Sequence, residues 1–156
     1  MGLEEYLAEY AESHQNKTNI LIHKICVPTI MFSLLGILKA FPVPETWPLW
    51  LDWSSFLILG SFIFYASFKN LKLILMMVVF ILPQIILLEV LRPRFFLLSL
   101  FLFVVAWIAQ FIGHKIEGKK PSFLKDLLFL LIGPIWVAKF FADQMGFSFT
   151  NNAKDT

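Results

Sequence analysis

Two of the three histidines in this chain lie in one short polar segment, HQNKTNILIH, which runs from His14 to His23. The third, His114, lies in the segment WIAQFIGHKIEG. Neutral imidazoles are good ligands for divalent first-row metals, and three protein ligands with open positions are typical of catalytic rather than closed structural sites. The histidines therefore predict a catalytic metal centre, provided that the fold brings the two segments together.

Helix geometry sets a condition for that convergence. Residues 1–19 are expected to form an amphipathic helix followed by a turn, with His14 extending the apolar face. The earlier members of that face are Leu3, Leu7 and Tyr10. On an unbroken helix His14 and His23 would point in nearly opposite directions, so the polar sequence QNKTN must interrupt the helix. We expect Asn19 to be the N-cap residue of the next helix, one turn before His23.

Polar residues beside the histidines are expected to orient the imidazoles or a substrate. Gln110 lies one helical turn before His114, and Glu117 lies about one turn after it, so the three can line one edge of a helix. Asn19 belongs to the other histidine segment. We therefore predict that Asn19, Gln110 and Glu117 hydrogen-bond to the metal ligands or to the substrate. The small residue Gly113 is expected to let another helix or a ligand approach closely.

Residue spacing alone does not choose the metal or the activity. Iron(II) fits a site with open positions for substrate and dioxygen, and zinc with a bound water fits as well. A haem-binding electron-transfer bundle with two axial histidines is an alternative, although the histidines lie near helix ends rather than inside the helices. A non-catalytic lipid-binding membrane protein is a further alternative.

The composition is that of an integral membrane protein. Of 156 residues, 58% are hydrophobic and 15% are charged, with a mean hydropathy of +0.75, which lies outside the range of soluble domains. The polar, acidic N-terminal segment predicts that there is no cleaved signal peptide. The net charge of +2 does not indicate a nucleic-acid partner, and the single cysteine, Cys26, cannot form an internal disulfide.

Four apolar stretches reach or approach the roughly 20 residues that cross a bilayer. They are residues 25–41, 50–68, 71–91 and 95–112. A fifth apolar run, 123–141, contains charged residues and a Gly-Pro step, so it is predicted to span, to re-enter or to lie in the interface. We predict a single all-α membrane domain over residues 1–156, with membrane helices over 20–141 and a polar tail over 142–156.

The number of spans predicts the side on which the histidines lie. Four crossings return the chain to its starting face, so the three histidines should share one side. Short loops rich in lysine and arginine remain cytoplasmic. The histidine side carries Lys17, Lys24, Lys69, Lys72, Lys115, Lys119, Lys120 and Lys125. The other side carries Lys39, Arg92 and Arg94. The histidines are therefore predicted to face the cytoplasm, in the inner membrane of a bacterium or the endoplasmic reticulum of a eukaryote.

Two separated motifs resemble one known family. The segment YAESHQNKTNILIHKICVP, with its His-x4-Asn-x3-His pattern, and the segment QFIGHKIEGKKPSFLKDLL, followed by GPIWV, are similar to its signature regions. This is the 2-hydroxy fatty acid dioxygenase family of small multispanning membrane proteins, formerly classed as a domain of unknown function. Its fungal member is an iron(II) enzyme of phytosphingosine breakdown. The resemblance runs from about residue 10 to about residue 137.

The resemblance implies a cofactor and a reaction. It implies that Fe(2+) is held by His14, His23 and His114, and that dioxygen oxidises a 2-hydroxy fatty acid to the acid one carbon shorter. Such an acid can chelate iron through its carboxylate and hydroxyl oxygens while its alkyl chain remains among apolar helices. Lys24 and Lys115 are expected to attract the carboxylate. The expected partners are therefore a 2-hydroxy fatty acid, dioxygen and membrane lipids.

Overall fold

The computed structural model describes residues 1–48, 50–91 and 95–150. Within these ranges the chain forms six α-helices, one short 3₁₀ helix and no strand. The helices are α1 (Leu3–Glu12), α2 (Lys17–Lys39), α3 (Trp53–Ser67), α4 (Leu71–Val90), α5 (Phe95–Glu117) and α6 (Phe129–Gln144), and the 3₁₀ helix is Ser122–Leu124. The predicted all-α fold class is confirmed.

Three helices of the described chain, α2, α4 and α5, are long and apolar enough to cross a bilayer. Helix α3 is also apolar but has 15 residues. At 1.5 Å per residue it is about 22 Å long, which is shorter than a hydrocarbon core of about 30 Å. The membrane character is therefore supported by three helices, and the count of four spans stays a prediction.

Helices α2 to α5 run alternately between two ends of a bundle. The end that carries the start of α2 and the end of α5 is called the histidine end here, because His23 and His114 lie there. Tyr6 of α1 contacts Phe64 and Phe68 at the end of α3, with ring centroids 6.2 and 6.0 Å apart. The end of α3 and the start of α4 therefore belong to the histidine end as well.

The opposite end is joined by an ion-pair cluster. Lys39, at the end of α2, lies between Asp52, which precedes α3, and Glu89, near the end of α4. Asp52 also caps α3, because its side chain accepts hydrogen bonds from the first backbone N–H groups of that helix. Arg92 and Arg94, in the turn predicted between the third and fourth spans, lie outside the described residues.

The break between α1 and α2 lies where the two histidines require it, but its cap differs from the prediction. Asn16 is the N-cap of α2, and its Oδ1 accepts hydrogen bonds from Thr18 N (2.9 Å) and Asn19 N (3.4 Å). The prediction that Asn19 caps this helix is wrong. Because α2 begins at Lys17, Asn19 lies in its first turn, and its carboxamide is free to contact other segments.

Helices α2 and α5 form the most extensive helix pair in the described part of the chain. At Gly113 the backbone of α5 lies directly against Asn19 of α2, where an added Cβ would be 2.4 Å from Asn19 Oδ1. The prediction that Gly113 permits close approach is confirmed. This contact brings the start of α2 beside the end of α5, which is the arrangement that the two histidine segments need.

Helix α6 begins at Phe129, six residues after the start of the predicted run 123–141, and packs across the histidine end. Phe140 contacts Lys24 of α2, whose Nζ lies 3.0 Å from the ring centroid. Beyond the helix, Phe149 is buried, and its carbonyl accepts a hydrogen bond from Asn70 Nδ2 in the α3–α4 turn (2.6 Å). Contacts to the histidine end thus extend from α6 into the segment predicted as a polar tail, whose last six residues lie outside the described ranges.

Candidate metal centre

The three histidines meet at one buried point. His14 lies between α1 and α2, His23 lies in the second turn of α2, and His114 lies in the last turn of α5. Their exposed fractions are 3%, 1% and 5%. One nitrogen from each ring lies within 4.8 Å of the others, and the ring centroids are 4.3 to 5.0 Å apart in edge-to-face contacts. The structure therefore brings together the residues that the sequence singled out.

Backbone carbonyl groups determine which nitrogen of two histidines is protonated. His14 Nδ1 lies 2.6 Å from Tyr10 O, and His23 Nδ1 lies 3.0 Å from Asn19 O. A carbonyl oxygen only accepts hydrogen bonds, so each Nδ1 must carry the proton and each Nε2 keeps a lone pair. His14 Nε2 is buried and has no hydrogen-bond partner among the described residues.

In His114 the ring nitrogen that is available to a metal is Nδ1 rather than Nε2. Its Nδ1 is also buried without a partner in the described part of the chain, while its ring interacts with the backbone of Lys119. A buried polar atom without a partner costs about 1–3 kcal/mol, and a bound divalent metal ion would satisfy these nitrogens. The donor set therefore fits a divalent metal.

The environment keeps His14 neutral. The pKa of His14 is lowered to about 4, mainly by burial and to a smaller extent by the positive charge that His114 can carry. The hydrogen bond to the Tyr10 carbonyl and the negative charge of Glu117 raise the pKa of His14, but they do not offset burial. A neutral imidazole at physiological pH is the form that binds a metal ion without first releasing a proton.

Glu117 connects the two histidine segments. Its Oε1 accepts a hydrogen bond from Gln15 N (2.9 Å), and its Oε2 accepts from Asn16 N (2.8 Å) and Asn19 Nδ2 (3.1 Å). Asn19 Nδ2 also donates to Ser13 O (3.1 Å). We call this arrangement the Glu117 clamp. The clamp connects the end of α5 to the loop that carries His14. Glu117 therefore hydrogen-bonds to residues that position the histidines.

The other polar residues predicted for the site have different positions. Gln110 is 7% exposed and lines a narrow cavity together with His23 and His114. Lys24 lies over the ring of Phe140, and Lys115 is exposed on the last turn of α5. The structure therefore brings Gln110 to the histidines and leaves the two lysines at the periphery.

Sequence reasoning missed several neighbours of the histidines. Tyr10 stacks on His14, with ring centroids 4.1 Å apart and an interplanar angle of 13°. The ring centroids of Trp136, in α6, and His14 are 5.4 Å apart. Ser13 Oγ lies 2.7 Å from Ser122 Oγ. The spacing of Tyr10 and His14, four residues on one helical face, is a signal for the stacking. Nothing local in the sequence indicates the contact with Trp136.

The fold and the site define a class: an all-α membrane protein with a buried cluster of three histidines at one end of its bundle. The chain belongs to the 2-hydroxy-palmitic acid dioxygenase Mpo1-like family, which matches residues 2–145. It is also similar to 2-hydroxy-palmitic acid dioxygenase MPO1 of Saccharomyces cerevisiae, with 30% identity over 149 residues that cover 94% of this chain and 83% of the relative. No solved structure matches the chain. The family resemblance inferred from the two histidine motifs is confirmed.

Proposed function

We propose that this protein is an iron(II)-dependent dioxygenase that shortens 2-hydroxy fatty acids by one carbon. The observation that carries the proposal is the cluster of three buried imidazoles, in a chain that belongs to a 2-hydroxy-palmitic acid dioxygenase family. Two of these imidazoles, those of His14 and His114, have a buried ring nitrogen without a partner among the described residues. The name of the yeast relative supports the same class of substrate.

His14 Nε2, His23 Nε2 and His114 Nδ1 would hold the metal. Iron(II) supplies the redox chemistry that dioxygen and a closed-shell organic acid lack by themselves, and three protein ligands leave positions open for both. The Tyr10 and Asn19 carbonyls hold two of the rings in the tautomer that presents Nε2. The edge-to-face contacts of the imidazoles do not favour a haem, because two axial histidines must lie on opposite faces of the macrocycle.

The walls of the narrow cavity beside the histidines combine Gln110, His23 and His114 with apolar side chains of α2 and α6. The apolar residues include Val27, Ile30, Met31, Phe129 and Leu130. The alkyl chain would lie along these residues, while Gln110 would hydrogen-bond to the polar head. Exclusion of water by the apolar walls strengthens the polar contacts at the head and orients the bond to be broken.

The reaction balances with one dioxygen. The bond between the carboxyl carbon and the hydroxyl-bearing carbon breaks, and the products are the fatty acid one carbon shorter, carbon dioxide and water. The hydroxyl-bearing carbon is oxidised to a carboxyl group, the original carboxyl carbon is released as carbon dioxide, and dioxygen is reduced. The 2-hydroxyl group is required because it provides the second chelating oxygen, which a plain fatty acid lacks.

Mass spectrometry of products from carboxyl-labelled 2-hydroxypalmitic acid tests the proposal. We expect pentadecanoic acid and labelled carbon dioxide from wild type loaded anaerobically with iron(II) and then exposed to dioxygen. Metal-free protein and the His114→Ala variant should produce neither, and palmitic acid should react little. Absence of turnover in protein shown to contain iron would reject the proposed substrate class. Equal turnover of palmitic acid would reject the chelation argument.

We further propose that the histidine end faces the cytoplasm. The excess of lysine at this end supports that orientation. In a Cys26→Ala background, Gln15→Cys and Lys119→Cys should react with a membrane-impermeant maleimide only after the cytoplasmic side is opened. Glu45→Cys, in the connection at the opposite end, is the matched control and should react from the other side. Labelling of positions 15 and 119 from different sides would contradict the shared face.

A further inference from the structure

The wall of the histidine cavity contains a phenol that the metal centre does not use. Tyr10 is 6% exposed and lines the same cavity as His23, Gln110 and His114. Its backbone carbonyl accepts the hydrogen bond from His14, and its ring stacks on the His14 imidazole. Its hydroxyl group has no hydrogen-bond partner among the described residues. Because a phenol is protonated at physiological pH, this group is available as a hydrogen-bond donor.

Helix α6 leaves space for this hydroxyl group. A Cβ added at Gly133 would lie 3.0 Å from Tyr10 Oη, which is closer than side chains normally pack. Gly133 lines the same cavity. The hydroxyl thus lies at the α6 wall, and the His14 stacking determines its position relative to the metal ligands.

The substrate needs a donor at this place. When a 2-hydroxy acid chelates a metal through its hydroxyl and one carboxylate oxygen, the second carboxylate oxygen is buried without a partner, which is unfavourable. The Nδ1–H groups of His14 and His23 already donate to carbonyl groups. Trp107 also lines the cavity with an unpaired indole N–H, but it lies about 10 Å along α5 from His114.

We propose that the hydroxyl group of Tyr10 donates a hydrogen bond to the substrate carboxylate, which makes Tyr10 a substrate-binding residue of the centre. The inference rests on the proposed function and deepens it, because it assigns recognition of the carboxylate to a particular side chain. Gln110, whose side chain carries an amide, lines the same cavity, so the two residues would contact the head of the lipid together.

Binding of 2-hydroxypalmitic acid to zinc-loaded protein in detergent tests the inference without turnover. Tyr10→Phe keeps the ring stacking and the backbone carbonyl but removes the donor. We expect its affinity to be about threefold to tenfold weaker than that of wild type, the effect of one hydrogen bond, with unchanged zinc content. Tyr6→Phe is the matched control on the same helix, because Tyr6 does not line the cavity and packs against Phe64 and Phe68. This variant should bind as wild type does.

A second ligand and a second variant identify the contact. Hexadecane-1,2-diol, which lacks the carboxylate, should bind equally to wild type and Tyr10→Phe. Gly133→Ala, which crowds the hydroxyl, should weaken binding of the acid in wild type and have less effect in the Tyr10→Phe background. Equal affinity of wild type and Tyr10→Phe for the acid, an equal loss for the diol, or loss of zinc from Tyr10→Phe would overturn the inference. Failure of wild type itself to bind the acid would instead reject the proposed function.

Discussion

The two ends of the bundle satisfy their polar groups in different ways. At the opposite end, Lys39 Nζ lies 2.6 Å from both Asp52 Oδ2 and Glu89 Oε1, so charge is paired with charge. At the histidine end, backbone carbonyl groups hold the buried imidazoles of His14 and His23. His14 Nε2 and His114 Nδ1 have no partner in the described structure. Among the described residues, ion pairing at the opposite end satisfies the charge of Lys39, whereas the histidine end keeps lone pairs available for a ligand.

The two ends also differ in packing. The main buried cluster joins α1 and α6 to α3 and α4, while a second cluster nearer the opposite end contains two buried residues, Leu35 and Leu88. Both ends also carry exposed apolar side chains, for example Val90 (73%) and Leu97 (75%) at the opposite end and Leu71 (71%) at the histidine end. In a bilayer such side chains are solvated by lipid. Substitutions at the histidine end should therefore perturb the protein more than comparable substitutions elsewhere.

The largest expected effect is the loss of a metal ligand. His23→Ala should lower the affinity for iron(II) more than about 100-fold and abolish turnover, because the loss of a ligand exceeds the 10–100-fold cost typical of losing a supporting residue. Iron content by mass spectrometry and helicity by circular dichroism measure the two properties separately. Full iron occupancy in a helical His23→Ala protein would show that the imidazole is not a ligand.

The next largest effect concerns the Glu117 clamp. Glu117→Gln removes a negative charge that accepts three N–H donors, so the loop carrying His14 should loosen and metal affinity should fall about tenfold. Glu89→Gln is the matched substitution at the opposite end, where the carboxylate side chain is 48% exposed and an exposed ion pair contributes about 0–1 kcal/mol. Competition with a metal-binding dye should therefore separate the variants, and equal affinities would argue against the clamp.

Alanine substitutions at two glycines, Gly113 and Gly60, compare the packing around α5 with that around α3. Gly113→Ala places a methyl group against Asn19 Oδ1 and should destabilise the folded protein by about 2 kcal/mol. Gly60→Ala, in α3, meets no atom within 4 Å and should be neutral or stabilise the helix by up to about 1 kcal/mol. Denaturant unfolding in detergent measures both changes. The same loss in both variants would mean that the α2–α5 contact is not closely packed.

A smaller effect on the stability of the folded protein is expected when the pH is lowered. Because the folded-state pKa of His14 is about 4 and the unfolded value is about 6.5, the unfolded chain binds more protons between these values, and stability falls as pH falls from 6.5 toward 4. At pH 5.5 the loss attributable to His14 is about 1.4 kcal/mol. The pKa of Asp52 is lowered, since its bonds to Lys39 and Ser54 outweigh the effect of burial, so its contribution is lost only below about pH 4.

The free energy of unfolding of metal-free protein, measured between pH 7 and 5.5, tests the different contributions of His14 and Asp52. The pH dependence of wild type should become weaker in His14→Gln, which cannot be protonated, and should be unchanged in Asp52→Asn. An identical slope in wild type and His14→Gln would show that His14 is not held neutral by burial.

Local sequence features predicted much of the fold and the composition of the site. The apolar runs correspond to α2, α4 and α5 because membrane helices are recognised from length and hydropathy alone. The histidines could be identified as candidate ligands from their side-chain chemistry, and the two motifs identified the family. The polar break after α1 was predictable because His14 and His23 cannot converge on one continuous helix.

Other properties were decided by tertiary contacts between distant segments. Asn16 rather than Asn19 caps α2, and Glu117 of α5 accepts the N–H groups that precede this helix. The position of α6 across the histidine end depends on contacts with α1 and α2, which its own hydropathy does not encode. Composition determined that this chain would form apolar helices carrying three imidazoles. Which ring nitrogens keep their lone pairs depends on where backbone carbonyls lie in the folded chain, so only the tertiary structure decided it.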